Sequence, residues 1–167
     1  MTPDERLQLV TDLHDHPARL VLAVAGGGNA LITDLLDVPG ASRTVLEVLI
    51  PYASSAMANL VGPMPRGVGA VSERMARAMA LACRQRAAAL EPGVVVVGLA
   101  VTAALVSDRP KRGEHRAHVV VDCTDGAGQD RHRLVRLVKG ELDRPSEDRV
   151  VADAALWELG LALGLVS

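Results

Sequence analysis

The run AVAGGGNA places Gly26, Gly27, Gly28 and Asn29 directly after an apolar segment and directly before a helical one. Main-chain N–H groups at a helix start point outward, and the helix dipole favours an anion there. Glycine lets a phosphate approach the backbone closely. The run is neither GxGxxG nor a Walker loop, because no GK[ST] follows. It therefore leaves two readings open, a ligand cradle or a tight structural turn.

Three further groups can do chemistry. The turn SDRPKRGEHRAH carries Lys111, Arg112 and Arg116 around Pro110 and Gly113. Such side chains suit phosphate or carboxylate contacts, and the turn follows the C-terminal end of an apolar strand, where open α/β sheets bind ligands. A solvated charged hairpin is the alternative. Glu47 sits in TVLEVLI with Val45 and Leu49 as its strand-face neighbours. A carboxylate on an apolar face takes an arginine partner or acts as a base of raised pKa; an ordinary edge-strand charge is the alternative. Tyr52 and Trp157 are the only aromatic residues in 167. Tyr52 can stack on or hydrogen-bond a ligand, but two rings do not make the stacking platform that single-stranded nucleic acid binding needs.

Metal binding and nucleophilic catalysis have little support. His115 and His118 are three apart and face opposite sides of a strand, and His14 and His16 cannot share a helix face. There is no HExxH and no GxSxG. Cys83 and Cys123 are 40 residues apart, which favours a reduced compartment over a disulfide or metal framework. No metal or cofactor is implied.

The elements that must position these residues follow from patterning. Residues 3–14 read as a helix, 19–25 as a short buried strand, and 29–37 as a helix ending before Pro39. RTVLEVLIPY reads as a second strand and SSAMANLVG as a short helix. Ser72 N-caps a long helix whose Met75, Met79 and Ala82 form a core stripe. VVVVGLAVTAAL lacks alternation and reads as a central strand buried on both faces. Two more strands follow, joined near Asp125-Gly126, and then a closing helix N-capped by Ser146. In that helix Val150, Ala154, Trp157 and Leu161 are expected to face the core. The order predicts one α/β domain, a mixed sheet covered by helices on both faces, with a core over about residues 20–163.

Composition narrows the function classes. Hydrophobic residues make up 49% and the net charge is −2, so no whole-chain field attracts nucleic acid. The polar N-terminus does not resemble a signal peptide, and no apolar run reaches the roughly 18 residues of a membrane span. A cytoplasmic protein is expected, with no nucleic acid or membrane partner.

From about Leu20 to Leu163 the chain resembles the C-terminal domain of the competence/damage-inducible protein CinA. The pieces that carry this are the glycine turn after the first strand, VPGAS, Pro51-Tyr52, GAVSERMARAMA, the strand ending AVTA, and the closing helix after DR. The resemblance implies a three-layer α/β/α fold with a five-stranded mixed sheet. Stand-alone members of that family include nicotinamide mononucleotide (NMN) amidohydrolases, and family members are commonly homo-oligomers.

The departures bear on activity. The family's Glu-Ser-Cys-Thr-Gly-Gly run aligns with Val24–Asn29, so its proposed serine nucleophile falls on Ala25. The family lysine five residues after the tyrosine falls on Met57. Its Thr-Gly-Ile-Ala-Gly-Pro run becomes Thr102–Ser107, keeping Thr102 alone. Serine-based amide hydrolysis is thereby disfavoured. The expectation is a site for a small phosphorylated metabolite or nucleotide such as NMN. Gly26, Gly27, Gly28 and Asn29 would supply backbone donors, Lys111, Arg112 and Arg116 positive charge, and Thr102 a surviving ligand contact. Tyr52 and Glu47 would be the catalytic candidates if water is the nucleophile. The competing expectation is a non-catalytic oligomeric domain with a relic pocket. If the arginine turn holds the phosphate, Arg112→Glu abolishes any nucleotide-induced thermal shift and leaves the unliganded melting temperature unchanged, because a turn arginine makes little core contact.

Overall fold

The computed structural model describes residues 1–63, 67–109, 112–123 and 128–167. The elements run α1 (Pro3–Asp15), β1 (Arg19–Ala25), α2 (Ala30–Asp37), a 3₁₀ turn (Ala41–Arg43), β2 (Val45–Leu49), α3 (Ser54–Val61), α4 (Glu73–Leu90), β3 (Val96–Ala104), β4 (His115–Cys123), β5 (Arg131–Leu137) and α5 (Arg144–Ala162). The expected Asp125-Gly126 connection lies outside the described residues.

The five strands form one mixed sheet in the order β2-β1-β3-β4-β5. β1 is parallel to β2 and β3, while β4 is antiparallel to β3 and β5. The side chains sort by strand alternation. Val21, Ala23, Ala100 and Val120 pack against Met75, Met79 and Cys83 of α4. Leu22, Val24, Leu99, Val101 and Val119 pack against α1, α2 and α5. This is the three-layer α/β/α fold. The methionine stripe is core, and β3 is buried on both faces. Burial also pushes the Cys83 thiol up to about 12, so it behaves as an apolar group.

Two close approaches set the geometry. At Gly98 a Cβ would lie 2.0 Å from the Ala80 carbonyl oxygen, so the α4 backbone rests directly on the middle of β3. At Gly26, with φ +85°, a Cβ would lie 2.1 Å from the Ala103 carbonyl oxygen. The first glycine of the turn thus lets the chain leave β1 hard against the end of β3.

α5 differs from its expected form in two respects. Asp143, not Ser146, is the N-cap, accepting a hydrogen bond from the Ser146 N–H at 2.9 Å. Pro145 then falls in the first turn, where its missing N–H costs nothing. The buried face is Val151, Ala152, Ala155, Leu156 and Leu159, whose small residues let the helix pack closely. Val150 is 40% exposed and Trp157 36% exposed, so the expected core stripe is turned partly outward.

The start of α5 also binds the glycine turn. Asp148 Oδ1 accepts hydrogen bonds from the N–H of Gly28 at 2.7 Å and of Asn29 at 3.1 Å, and Oδ2 accepts from Ala30 at 2.9 Å. The Asn29 side-chain amide adds a fourth bond at 3.2 Å. Replacing Asp148 by alanine leaves those amides to water and is expected to cost about 1–3 kcal/mol. Thermal denaturation of Asp148→Ala should show a melting temperature lowered by about 2–4 °C per kcal/mol for a chain of this size.

Candidate functional site

A pocket of about 830 Å³ opens where β1, α3, the start of α4 and the start of α5 meet. Ala25 and Gly26 line it from the glycine turn, and Pro51, Tyr52 and Met57 from the α3 side. Val71 and Met75 line it from the entry to α4, and Ser107 and Arg144 complete it. The positions aligned with the family's serine, tyrosine and lysine (Ala25, Tyr52 and Met57) therefore converge in three dimensions. Tyr52 is 75% exposed at the rim, while Met57 is buried.

Arg144 supplies the positive charge. Its guanidinium donates to the Val106 carbonyl at 2.9 Å and to the Gly26 carbonyl at 3.1 Å. An arginine has five N–H donors in a rigid fork, so further donors remain for an anion. The next residues of α5 reinforce the same corner. Glu147, fully buried, accepts from the Val106 N–H and bonds to His115 Nδ1, each at 2.6 Å. Across the pocket α3 begins without a side-chain cap at Ala53. The amides of its first turn are left for solvent or a ligand.

Several candidates lie elsewhere. The amides of Gly28 and Asn29 already serve the Asp148 carboxylate, so the anion at the start of α2 is part of the chain itself. Arg112 is exposed and does not line the pocket. Arg116 donates to the Val71 carbonyl at 3.4 Å and steadies a pocket wall from behind. Lys111 lies outside the described residues. Glu47 has taken the arginine-partner alternative: Arg86 of α4 holds it, with one bond at 2.7 Å, and lowers its pKa. It too is absent from the pocket lining. Thr102 is 1% exposed, and among the described residues its hydroxyl is the one buried side-chain polar atom without a hydrogen-bond partner. Such a group costs about 1–3 kcal/mol.

The histidine arrangement was not foreseen. His118 Nδ1 and His132 Nε2 are 3.1 Å apart. Their ring planes differ by 9° and their centroids are 5.4 Å apart. The excess of the second distance over the first is the sum of two imidazole radii. The nitrogens therefore lie on the line between the centroids, and the rings meet edge to edge at hydrogen-bond distance, the tautomers deciding which ring donates. Among the described residues no group of three or more His, Cys, Asp or Glu side chains is placed to hold a metal ion. Glu73 Oε2 lies 3.5 Å from His132 Nδ1, extending the chain to the start of α4. The strand register pairs His118 with Leu134 and His132 with Val120, so the two histidines become diagonal neighbours only once β4 and β5 are paired.

The CinA C-terminal domain family model matches residues 5–111. The chain belongs to the CinA C-terminal domain family. A CinA-like protein of Mycobacterium avium is 31% identical over 137 residues, covering 80% of this chain and 31% of that protein. A CinA-like protein of Chlorobaculum tepidum is 41% identical over 76 residues, covering 42% of this chain and 18% of that protein. The chain thus spans less than a third of the length of these curated relatives. Among solved structures, the competence/damage inducible protein CihA of Agrobacterium tumefaciens superposes with a TM-score of 0.77 at 21% identity, over 98% of both chains. The competence or damage-inducible protein of Enterobacter asburiae gives 0.77 at 19% identity, over 98% of this chain and 99% of that one. These structures share the fold. Among the described residues no helix is long and apolar enough to cross a membrane.

The histidine pair makes stability depend on pH. Burial, then the neighbouring His132 and Arg116, push the His118 pKa down, and Glu73 opposes them. The unfolded chain therefore takes up a proton near the ordinary histidine value of about 6.5 while folded His118 remains neutral. Stability from this group is complete above that value and declines as pH falls towards the folded pKa. Denaturant midpoints measured from pH 7.5 to 5.0 should fall with pH, and less steeply in His118→Gln. Equal slopes in the two proteins would contradict the assignment.

Proposed function

We propose that the pocket binds a small phosphorylated metabolite, with Arg144 and the uncapped start of α3 holding the phosphate. The rest of the ligand lies against Met57, Val71 and Met75, and Tyr52 closes over it from the rim. NMN is the first compound to test, because the family includes proteins that act on it. The observation that carries this reading is the Arg144 guanidinium, fixed by two main-chain carbonyls at the wall of the pocket.

The lining favours binding over hydrolysis. Among the described residues it contains no carboxylate, histidine, cysteine or lysine. No group there takes a proton from water at neutral pH, and Ala25 and Met57 occupy the positions of the family serine and lysine. A water-based amidohydrolase, the second reading, would need a base from beyond these residues.

Thermal-shift titration with NMN, AMP and inorganic pyrophosphate tests the proposal. A phosphate-bearing compound is expected to raise the melting temperature, and Arg144→Met to remove that shift, whereas Arg112→Glu leaves it intact. Because Arg144 also ties two loops together, Val71→Trp, which fills the pocket without touching those bonds, provides a second check and should also abolish the shift. A shift that survives both Arg144→Met and Val71→Trp places the ligand elsewhere. Chromatographic assay of NMN with the purified protein should show no deamidation, and turnover would favour the amidohydrolase.

A further inference from the structure

We propose that the pocket selects a phosphate monoester whose body is apolar and uncharged, and discriminates against one built on a sugar. This rests on the reading of Arg144 as the phosphate anchor and concerns the body of the ligand rather than its head. Arg144 is the one charged side chain in the described lining. The walls around it are Pro51, Met57, Val61, Val68, Val71 and Met75. Met57 and Met75 belong to the core between α4 and the sheet, and Val61 and Val68 pack against it. The pocket is thus an open extension of that core with a single cation at its wall.

A ligand hydroxyl finds few partners there. The other polar side chains of the described lining are Tyr52, Ser54 and Ser107. Tyr52 and Ser54 are exposed, and Ser107 already donates to the Arg109 carbonyl at 3.0 Å. Much of the main chain is engaged as well. The carbonyls of Gly26 and Val71 accept from Arg144 and Arg116, and those of Ala53 and Ala58 accept from the N–H groups of Met57 and Gly62. The unpaired Thr102 hydroxyl is buried outside the lining. A sugar hydroxyl moved from water against such walls loses its hydrogen bonds to solvent and gains none in return. An alkyl or aryl group gains contact with the methionines and valines at no polar cost. Methionine, flexible and polarizable, adapts to flat or irregular bodies, and the volume of about 830 Å³ is that of a small-molecule site.

Isothermal titration of the protein with naphthyl phosphate, ribose phosphate and NMN, which share one head group, tests this selectivity. Naphthyl phosphate is expected to bind roughly 10–100-fold more tightly than ribose phosphate, the discrimination an apolar pocket can reach. Val71→Asn, which places an amide in the wall, should shrink that ratio, and Arg144→Met should weaken both compounds. Ribose phosphate or NMN binding as tightly as naphthyl phosphate, with each weakened by Arg144→Met, overturns the apolar class and leaves the phosphate site standing. A ratio undiminished in Val71→Asn also overturns it, since the naphthyl group then lies on another surface. Three other outcomes sink the phosphate reading itself: naphthol binding as tightly as its phosphate, an affinity for naphthyl phosphate that Arg144→Met does not change, or no binding by any of the phosphates.

Discussion

The carboxylate of Asp148 is the contact on which the arrangement at the top of the sheet depends. A helix start exposes several N–H groups that cannot be satisfied within the helix. At α2 three successive amides and the Asn29 side chain converge on this one acid, contributed by an element more than 100 residues away. Its neighbours extend the same function, since Arg144 takes the Gly26 and Val106 carbonyls and Glu147 takes the Val106 N–H. One turn of α5 thereby fixes both loops at the ends of the adjacent strands β1 and β3.

That construction explains why the pocket has its present chemistry. An anion site at the start of α2 would compete with Asp148, and the positive charge available to a ligand instead comes from the first residue of α5. The backbone there is held by hydrogen bonds rather than by the apolar packing that fills the two cores. The pocket walls are apolar at Ala25 and Met57, and the one charged side chain in the described lining is the oriented guanidinium of Arg144. The orphaned Thr102 hydroxyl, close in register to both Ala25 and His118, is a cost that the folded chain carries at the end of β3.

Much of the fold was legible before any coordinates. Period-two alternation was absent from β3 because helices cover both of its faces. The caps at Ser72, the break before Pro39 and the methionine stripe each report a local choice that the tertiary structure kept. The site was less legible. Asp148 reads as an ordinary first-turn acid and Arg144 as a residue before a proline. Nothing in their immediate neighbours indicates the loops they reach. The stripe through Trp157 was periodic and apolar, yet periodicity cannot tell which of two apolar faces a helix buries. The alanines on the opposite face allowed closer approach to the sheet and took the interior.

By itself the sequence determined the element order, the mixed α/β class and the family, because local spacing and residue type carry those properties. Only the tertiary structure decided which charges meet. Glu47 went to Arg86, the start of α2 to Asp148, His118 to His132, and the pocket to Arg144. Each pairing joins segments distant in the chain, and electrostatic partners are chosen by distance in space after the sheet has set its register.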